Sequence, residues 1–295
     1  MEENPRERMA DAALSSELLF TYRGALYPKM RCSPETFQVL ENFVARRDDV
    51  MLVSYPKCGT NWCVQILSDL AATVSSSKDV KPVFDILEFG ASEKYKIMES
   101  SPSPRVYATH FHYDNLPKSV FQSGTKKLVI LRNPKDSAVS LYHFHNKNPA
   151  LPNYSDWNDF FKDFMCGKVV WGSYFDHAIA WNKHMDEEGC LIITYEDLKE
   201  NLVRGVQQIA DFFQFSLSEE QIRFIAARAT FDAMKARANE THGKIGQALF
   251  RKGDVGDWKN YFSEAQSREM DAKFDECLVG TKLGAKLKYD VYCKT

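Results

Sequence analysis

Tyr55-Pro56-Lys57-Cys58-Gly59-Thr60-Asn61-Trp62 joins the apolar run Val50-Met51-Leu52-Val53-Ser54-Tyr55 to a segment with helically spaced apolar residues, Trp62 to Val74. The first run predicts a short buried strand and the second a helix. The stretch between them is a strand-to-helix turn that opens on a helix N-terminus. There the first backbone N–H groups lack intrahelical acceptors, and the helix dipole favours negative charge. Gly59 lets an anion approach the backbone, while Lys57 and the Thr60 hydroxyl add donors. The turn therefore points to a nucleotide or similar anion; read alone, it is also compatible with a plain connection carrying an exposed lysine.

The same alternation continues along the chain. Arg105-Val106-Tyr107-Ala108-Thr109-His110, preceded by Ser101-Pro102-Ser103-Pro104, predicts a second strand. Lys127-Leu128-Val129-Ile130-Leu131 predicts a third, with Asn133 placed to cap the next helix and Pro134 at its first position. Leu191-Ile192-Ile193-Thr194-Tyr195 predicts a fourth, leading into a long helix from about Asp197 to Phe213. Further helices are expected over Ser155 to Cys166, Val169 to His184, Ser218 to Arg228 and Glu264 to Val279, the last with a Ser263/Gln266 capping box. Met234 to Gln247 is polar and glycine-bearing without clear periodicity, and reads as a lid loop. Strands alternating with helices predict an α/β fold: a single domain with a central parallel sheet flanked by helices. In such sheets ligands bind beyond the carboxyl ends of the strands. Lys57, His110, Arg132 and Tyr195 each fall at or just past such an end.

The 295 residues carry a formal charge of −2, which provides no broad field for nucleic acid or a membrane surface. No run is long and apolar enough to predict a membrane span. Seven cysteines without a C-x-x-C pair point to reduced thiols and a cytosolic location. Residues 1–16 read as a disordered tail, and 17–295 as one domain.

Arg251-Lys252-Gly253-Asp254-Val255-Gly256-Asp257-Trp258-Lys259 sets two adjacent cations beside a glycine, a second compact anion clamp. With Lys57-Cys58-Gly59-Thr60-Asn61-Trp62 it makes the chain resemble the cytosolic sulfotransferases from about Phe20 to about Tyr289. Leu283-Gly284-Ala285-Lys286-Leu287-Lys288-Tyr289 and Ala108-Thr109-His110-Phe111-His112 look most like the sixth subfamily, type B. The resemblance implies a P-loop-nucleotide-kinase-like sulfotransferase fold. It also implies transfer of a sulfonyl group from 3′-phosphoadenosine 5′-phosphosulfate (PAPS) to an acceptor hydroxyl, with 3′,5′-ADP as product and no metal. By the same resemblance Lys57, Cys58, Gly59, Thr60, Asn61 and Trp62 hold the 5′-phosphosulfate end, Lys57 offsetting charge on the leaving phosphate and Trp62 stacking on adenine. Arg132, Ser140, Arg251, Lys252 and Gly253 address the 3′-phosphate. Tyr195, Thr230, Phe231 and Met234 contact the adenine end, and Ala229 stands where many relatives carry threonine. His110 is the general base and Phe144 a wall of the acceptor pocket.

The chain departs from the family pattern at Ala108, where many members have lysine. His112, two residues past the base, is expected on the same side as His110, where it either compensates as a donor or merely lines the pocket or packs. His143 and His145 form an H-x-H pattern, but no third ligand accompanies them and zinc is disfavoured. Many relatives dimerise through a short segment whose counterpart here starts at Lys259 and carries Ser263, Glu264 and Arg268 at its other key positions, so a monomer or weak homodimer is expected. Two rival functions are a nucleotide-binding regulatory protein that has lost turnover and a nucleoside kinase. Intact Lys57 and His110 oppose the first, and the absence of G-x-x-x-x-G-K-[ST] opposes the second. The aromatic-rich chain is suited to a small lipophilic acceptor such as a phenol, an iodothyronine or other hormone, an alcohol or a xenobiotic, hence to hormone metabolism or xenobiotic conjugation.

Overall fold

β-Branched and aliphatic residues form five short parallel strands in the order β4-β5-β3-β6-β7: β3 Val50–Ser54, β4 Asp85–Ile86, β5 Val106–Thr109, β6 Lys126–Leu131 and β7 Cys190–Thr194. The computed structural model describes residues 17–75, 85–242 and 246–294, so the expected 1–16 tail lies outside the described residues. β3 is the centre of the sheet, pairing Val50–Val53 with Val106–Thr109 of β5 and Val50–Ser54 with Lys126–Ile130 of β6. Every residue of β3 is buried, as a strand covered on both faces requires. Its alternate side chains feed two cores. Met51 and Val53 join Tyr107, Val129 and Leu131 against an aromatic layer that includes Phe160, Phe164, Tyr174 and Trp181. Val50 and Leu52 join Val106, Ala108, Leu128 and Ile130 against Cys63, Ile66, Leu67 and Ile209. Full burial of each such aliphatic side chain contributes about 1.5–3 kcal/mol.

The helices differ from the sequence-based expectation where capping or backbone conformation overrides periodicity. The long helix expected from Asp197 to Phe213 is two, Tyr195–Glu200 and Leu202–Phe213. Asn201 between them is non-helical (φ −151°, ψ 89°), and its side chain accepts the Arg204 N–H at the start of the second. The helix expected from Val169 starts only at Tyr174, because Trp171 and Gly172 are left-handed (φ 63° and 75°) and Ser173 then caps it. Trp157–Met165 starts at the Asp156 cap, two residues later than expected. The polar stretch 234–247, expected as a loop, falls largely within the short helices Phe231–Ala236, Ala238–His242 and Gly246–Leu249, while 243–245 lie outside the described residues. The Ser263/Gln266 capping box and the Asn133 cap with Pro134 behind it form as the sequence predicts. An antiparallel hairpin, β1 Leu19–Tyr22 and β2 Ala25–Pro28, was not foreseen; it bridges to the main body where Leu26 pairs with Val170.

β5 and β6 leave β3 on opposite sides, so the crevice beyond its carboxyl end is a topological switch point.

Candidate functional site

The turn after β3 is shaped by two unusual backbone conformations. Lys57 is left-handed at φ 69°, and Gly59, at φ 113°, is the N-cap of the helix Thr60–Val74. A Cβ at Gly59 would lie 2.9 Å from Ile130 Cδ1 and 3.2 Å from Tyr195 Cδ2, so conformation and contact both require glycine. No side chain caps this helix, which leaves its first-turn N–H groups for a ligand.

A cavity of about 590 Å³ opens there, lined by Lys57, Gly59, Thr60, Asn61 and Trp62 from the turn and by His110, Arg132 and Tyr195 from the other strand ends. Ser140 and Phe144 line it from the helix Pro134–Lys147, and Thr230, Phe231, Met234, Arg251, Lys252 and Gly253 complete it. The exception among the candidate residues is Cys58. It is fully buried under the turn, its thiol 3.4 Å from Ser137 Oγ and its N–H donated to Tyr55. Cys58 thus shapes the turn from beneath rather than lining the cavity.

Four cations, Lys57, Arg132, Arg251 and Lys252, line the cavity together. Lys57 is half-buried with its Nζ 4.4 Å from the Phe144 ring centroid. Burial, then Arg132 and Arg251, lower its pKa to about 7. Arg132 lies 4.3 Å over the Tyr195 ring, donates through Nη2 to Asp254 O (2.7 Å), and pairs loosely with Asp136 at 3.7 Å. Its buried Nε has no hydrogen-bond partner among the described residues, which fits a site completed by an anionic ligand. Arg251 and Lys252 both hold Asp257, the former at 2.5 Å. Burial opposes ionisation of Asp257, but hydrogen bonds from Lys252, Asn260 and Arg251 prevail and hold its carboxyl at about 2. Gly253 is left-handed and packs on Phe231. Asp136 fixes this loop from below by accepting the N–H groups of Gly256 (2.7 Å) and Trp258 (3.0 Å).

His110 is buried at the end of β5. Its Nδ1 lies 2.8 Å from Ser54 O, and a carbonyl only accepts, so Nδ1 carries the hydrogen and Nε2 the lone pair. Ser54 Oγ lies 2.7 Å from Thr60 Oγ1 and 3.4 Å from His110 Nδ1, which links the imidazole to the turn. The His110 pKa is lowered chiefly by burial and secondarily by Lys57, against Glu88 and the Ser54 carbonyl, which raise it. Burial is thus the main cause of its neutral form.

One further expectation needs revision. His112 does not share the cavity side with His110, because β5 ends at Thr109 and alternation stops there. Its Nε2 meets Trp171 O at 3.3 Å and its ring meets His177 edge-on. Ala108 packs in the core on the face of the sheet covered by Thr60–Val74. Trp62 donates to Ala229 O at 2.7 Å and meets Tyr195 edge-on. The Thr230 hydroxyl caps Phe231–Ala236. His143 and His145 diverge, the first to the Tyr261 hydroxyl and the second to Pro152 O. Glu88, Asp136, Asp257 and Trp171 also shape the site; the sequence offered no signal for Glu88 or Trp171, whereas Asp257 lies inside the Arg251–Lys259 motif and Asp136 three residues past the Asn133 cap.

A sulfotransferase domain profile matches residues 47–282. The chain is 56% identical over 288 residues to human sulfotransferase 6B1, covering 98% of this chain and 95% of that protein. It is 47% identical to the zebrafish (Danio rerio) sulfotransferase 6B1, covering 98% and 99%. The crystal structure of mouse sulfotransferase SULT7A1 complexed with PAP superposes with a TM-score of 0.83 at 35% identity, covering 92% of this chain and 99% of that one.

Proposed function

This chain belongs to the sulfotransferase family, and we propose that its cavity takes PAPS as donor and passes the sulfonyl group to the hydroxyl of a small lipophilic acceptor. The observation that carries this reading is the meeting of a neutral His110 with Lys57, Arg132, Arg251 and Lys252 in one cavity at the strand ends. A similar structure with PAP bound supports the donor.

Bound there, PAPS supplies a sulfur whose leaving group is a phosphate. The first turn of Thr60–Val74 and Lys57 receive the 5′ end, and Lys57 offsets charge growing on the bridging oxygen. Arg132, Ser140 and the Arg251-Lys252-Gly253 loop hold the 3′-phosphate, with the planar guanidinium groups suited to its oxygens. Trp62, Tyr195, Phe231 and Met234 frame the adenine. His110 Nε2 takes the acceptor hydroxyl's proton as the acceptor oxygen closes on sulfur and the bond to the bridging oxygen breaks, an in-line displacement that relies on positioning and charge. Pro28, Ile86, Phe89, Phe144, Leu151 and Trp171 give the acceptor side an apolar lining, which favours phenols and lipophilic alcohols.

Glu264 and Arg268 in the segment corresponding to the family's dimer contact lie four residues apart on one exposed helical face, 3.6 Å from each other, and satisfy each other within the chain. This supports a monomer or weak dimer. Among the described residues no helix is long and apolar enough to cross a membrane.

The test is a radiolabelled-PAPS screen over phenols, iodothyronines, steroids and amines, run beside His110→Ala. Labelling of one or more hydroxyl acceptors by the wild type alone supports the reading. If 3′,5′-ADP binds but no acceptor is labelled, the proposed transfer is wrong.

A further inference from the structure

We propose that Glu88 is a positioning residue for sulfonyl transfer, its carboxylate tying the base strand to the acceptor wall and stabilising the positive charge His110 acquires. The inference rests on the reading of His110 as general base.

Glu88 lies two residues past β4 and is fully buried. A carboxylate is an acceptor only, and this one receives three donors. Thr109 Oγ1 donates to Oε2 at 2.8 Å; the His110 N–H and the Trp171 indole N–H donate to Oε1 at 2.7 and 3.3 Å. Two of these donors come from the end of β5, and the third belongs to an aromatic ring in the cavity wall. Trp171 meets the His110 ring edge-on at 5.1 Å and holds a left-handed backbone, φ 63°. Phe89, next in the chain, lies 5.8 Å from Trp171 and 6.3 Å from His110, and also lines the cavity. One side chain therefore fixes the base relative to two aromatic walls of the acceptor space.

A staple alone does not need a charge, and burying a carboxylate is costly. The surroundings of His110 give the charge a use. Facing the imidazole are the Ser54 carbonyl from β3, Lys57 from the turn, His177 from Tyr174–Asn182, and Glu88. Lys57 repels a proton on His110, and His177 is itself held neutral, chiefly by burial and then by His112 and His110. Tyr27, Cys32 and Tyr95, which surround Glu88, are all kept protonated, first by burial and then by Glu88 itself. Glu88 is the anion in this set. After His110 takes the acceptor's proton, that carboxylate, together with the Ser54 carbonyl, opposes desolvation of the imidazolium. It acts through backbone and field, because it touches the main chain of His110 and not the ring.

Glu88→Gln keeps size and loses charge. With the full-length protein and one accepted phenol, kcat should fall about tenfold or more while 3′,5′-ADP affinity stays within about twofold of wild type. Because Glu88 raises the His110 pKa, its removal should move the acid limb of the kcat/KM profile to lower pH by about half a unit or more. The titration of the His110 Cε1–H resonance, assigned with His110→Ala, should move the same way and needs no turnover. Glu88→Asp should lower kcat yet keep limb and midpoint near wild type, and it carries the test if the Gln variant fails to fold. Unchanged kcat and midpoint in Glu88→Gln, or unchanged kcat in Glu88→Asp when only that variant folds, overturns the proposal. If the wild type labels no acceptor, the reaction reading has failed, and the resonance alone decides whether Glu88 acts on His110.

Discussion

The Nδ1–H of His110 donates to Ser54 O across 2.8 Å, so the strand that leads into the anion turn also selects the tautomer of the base. Residues 56 apart in sequence are thereby coupled, and on the proposed mechanism donor binding and proton abstraction share one support. Replacing His110 by Ala should reduce kcat by about 10²–10⁴ while 3′,5′-ADP still binds. Turnover near wild type in a folded His110→Ala protein would remove His110 from the reaction.

Lys57 gives a pH signature to donor binding. In the free protein its pKa lies at about 7, so above that pH its amine is mostly neutral. Phosphate groups favour the charged form, so binding at higher pH takes up a proton, and affinity for 3′,5′-ADP should weaken as pH rises from about 7 to 9. Calorimetry at about pH 8 in two buffers of different ionisation heat measures the uptake. Lys57→Met should abolish it and lower turnover about 10²–10³; no uptake by the wild type refutes this account.

Recognition of the 3′-phosphate should appear as discrimination between nucleotides. On the proposed donor pose Arg132, Arg251 and Lys252 hold that group, so 3′,5′-ADP should bind at least about tenfold more tightly than 5′-AMP. Arg132→Ala should reduce the ratio by weakening the bisphosphate more than the monophosphate. Equal affinities for the two nucleotides in the wild type are the adverse result.

Gly253→Ala tests the loop behind those cations. Its backbone is left-handed, φ 71°, and an added Cβ would lie 2.2 Å from Phe231 Cδ2. The loop must shift, and the strain, about 1–3 kcal/mol, should emerge as weaker 3′,5′-ADP binding with a small loss of Tm. Wild-type affinity for the nucleotide would show that the loop adjusts freely.

Four of the five sheet strands and the positions of Lys57, His110, Arg132 and Tyr195 are legible in the sequence, because each apolar run ends at a polar or turn-forming residue and the strand ends share one edge; the two-residue β4, Asp85–Ile86, is too short to show a pattern. The Asn133–Pro134 and Ser263–Gln266 starts are legible for a similar reason: caps are local chemistry. Trp171 is not, since its left-handed backbone interrupts an apparently continuous helical pattern. Glu88 is not either, because its three donors come from residues 21 to 83 positions away and meet only in the folded chain. His112 shows the opposite error, a local alternation rule carried three residues beyond the end of its strand at Thr109.

Cys58 adds a clock to the anion turn. Its thiol has no exposure and burial raises its pKa to about 12, so alkylating reagents reach it only when the turn lifts from Ser137. The rate at which Cys58 is labelled, followed by peptide mass spectrometry, therefore measures how often the turn opens, and saturating 3′,5′-ADP should slow it in proportion to the time the site is occupied. The residue that contributes least to the lining of the cavity becomes its built-in timer.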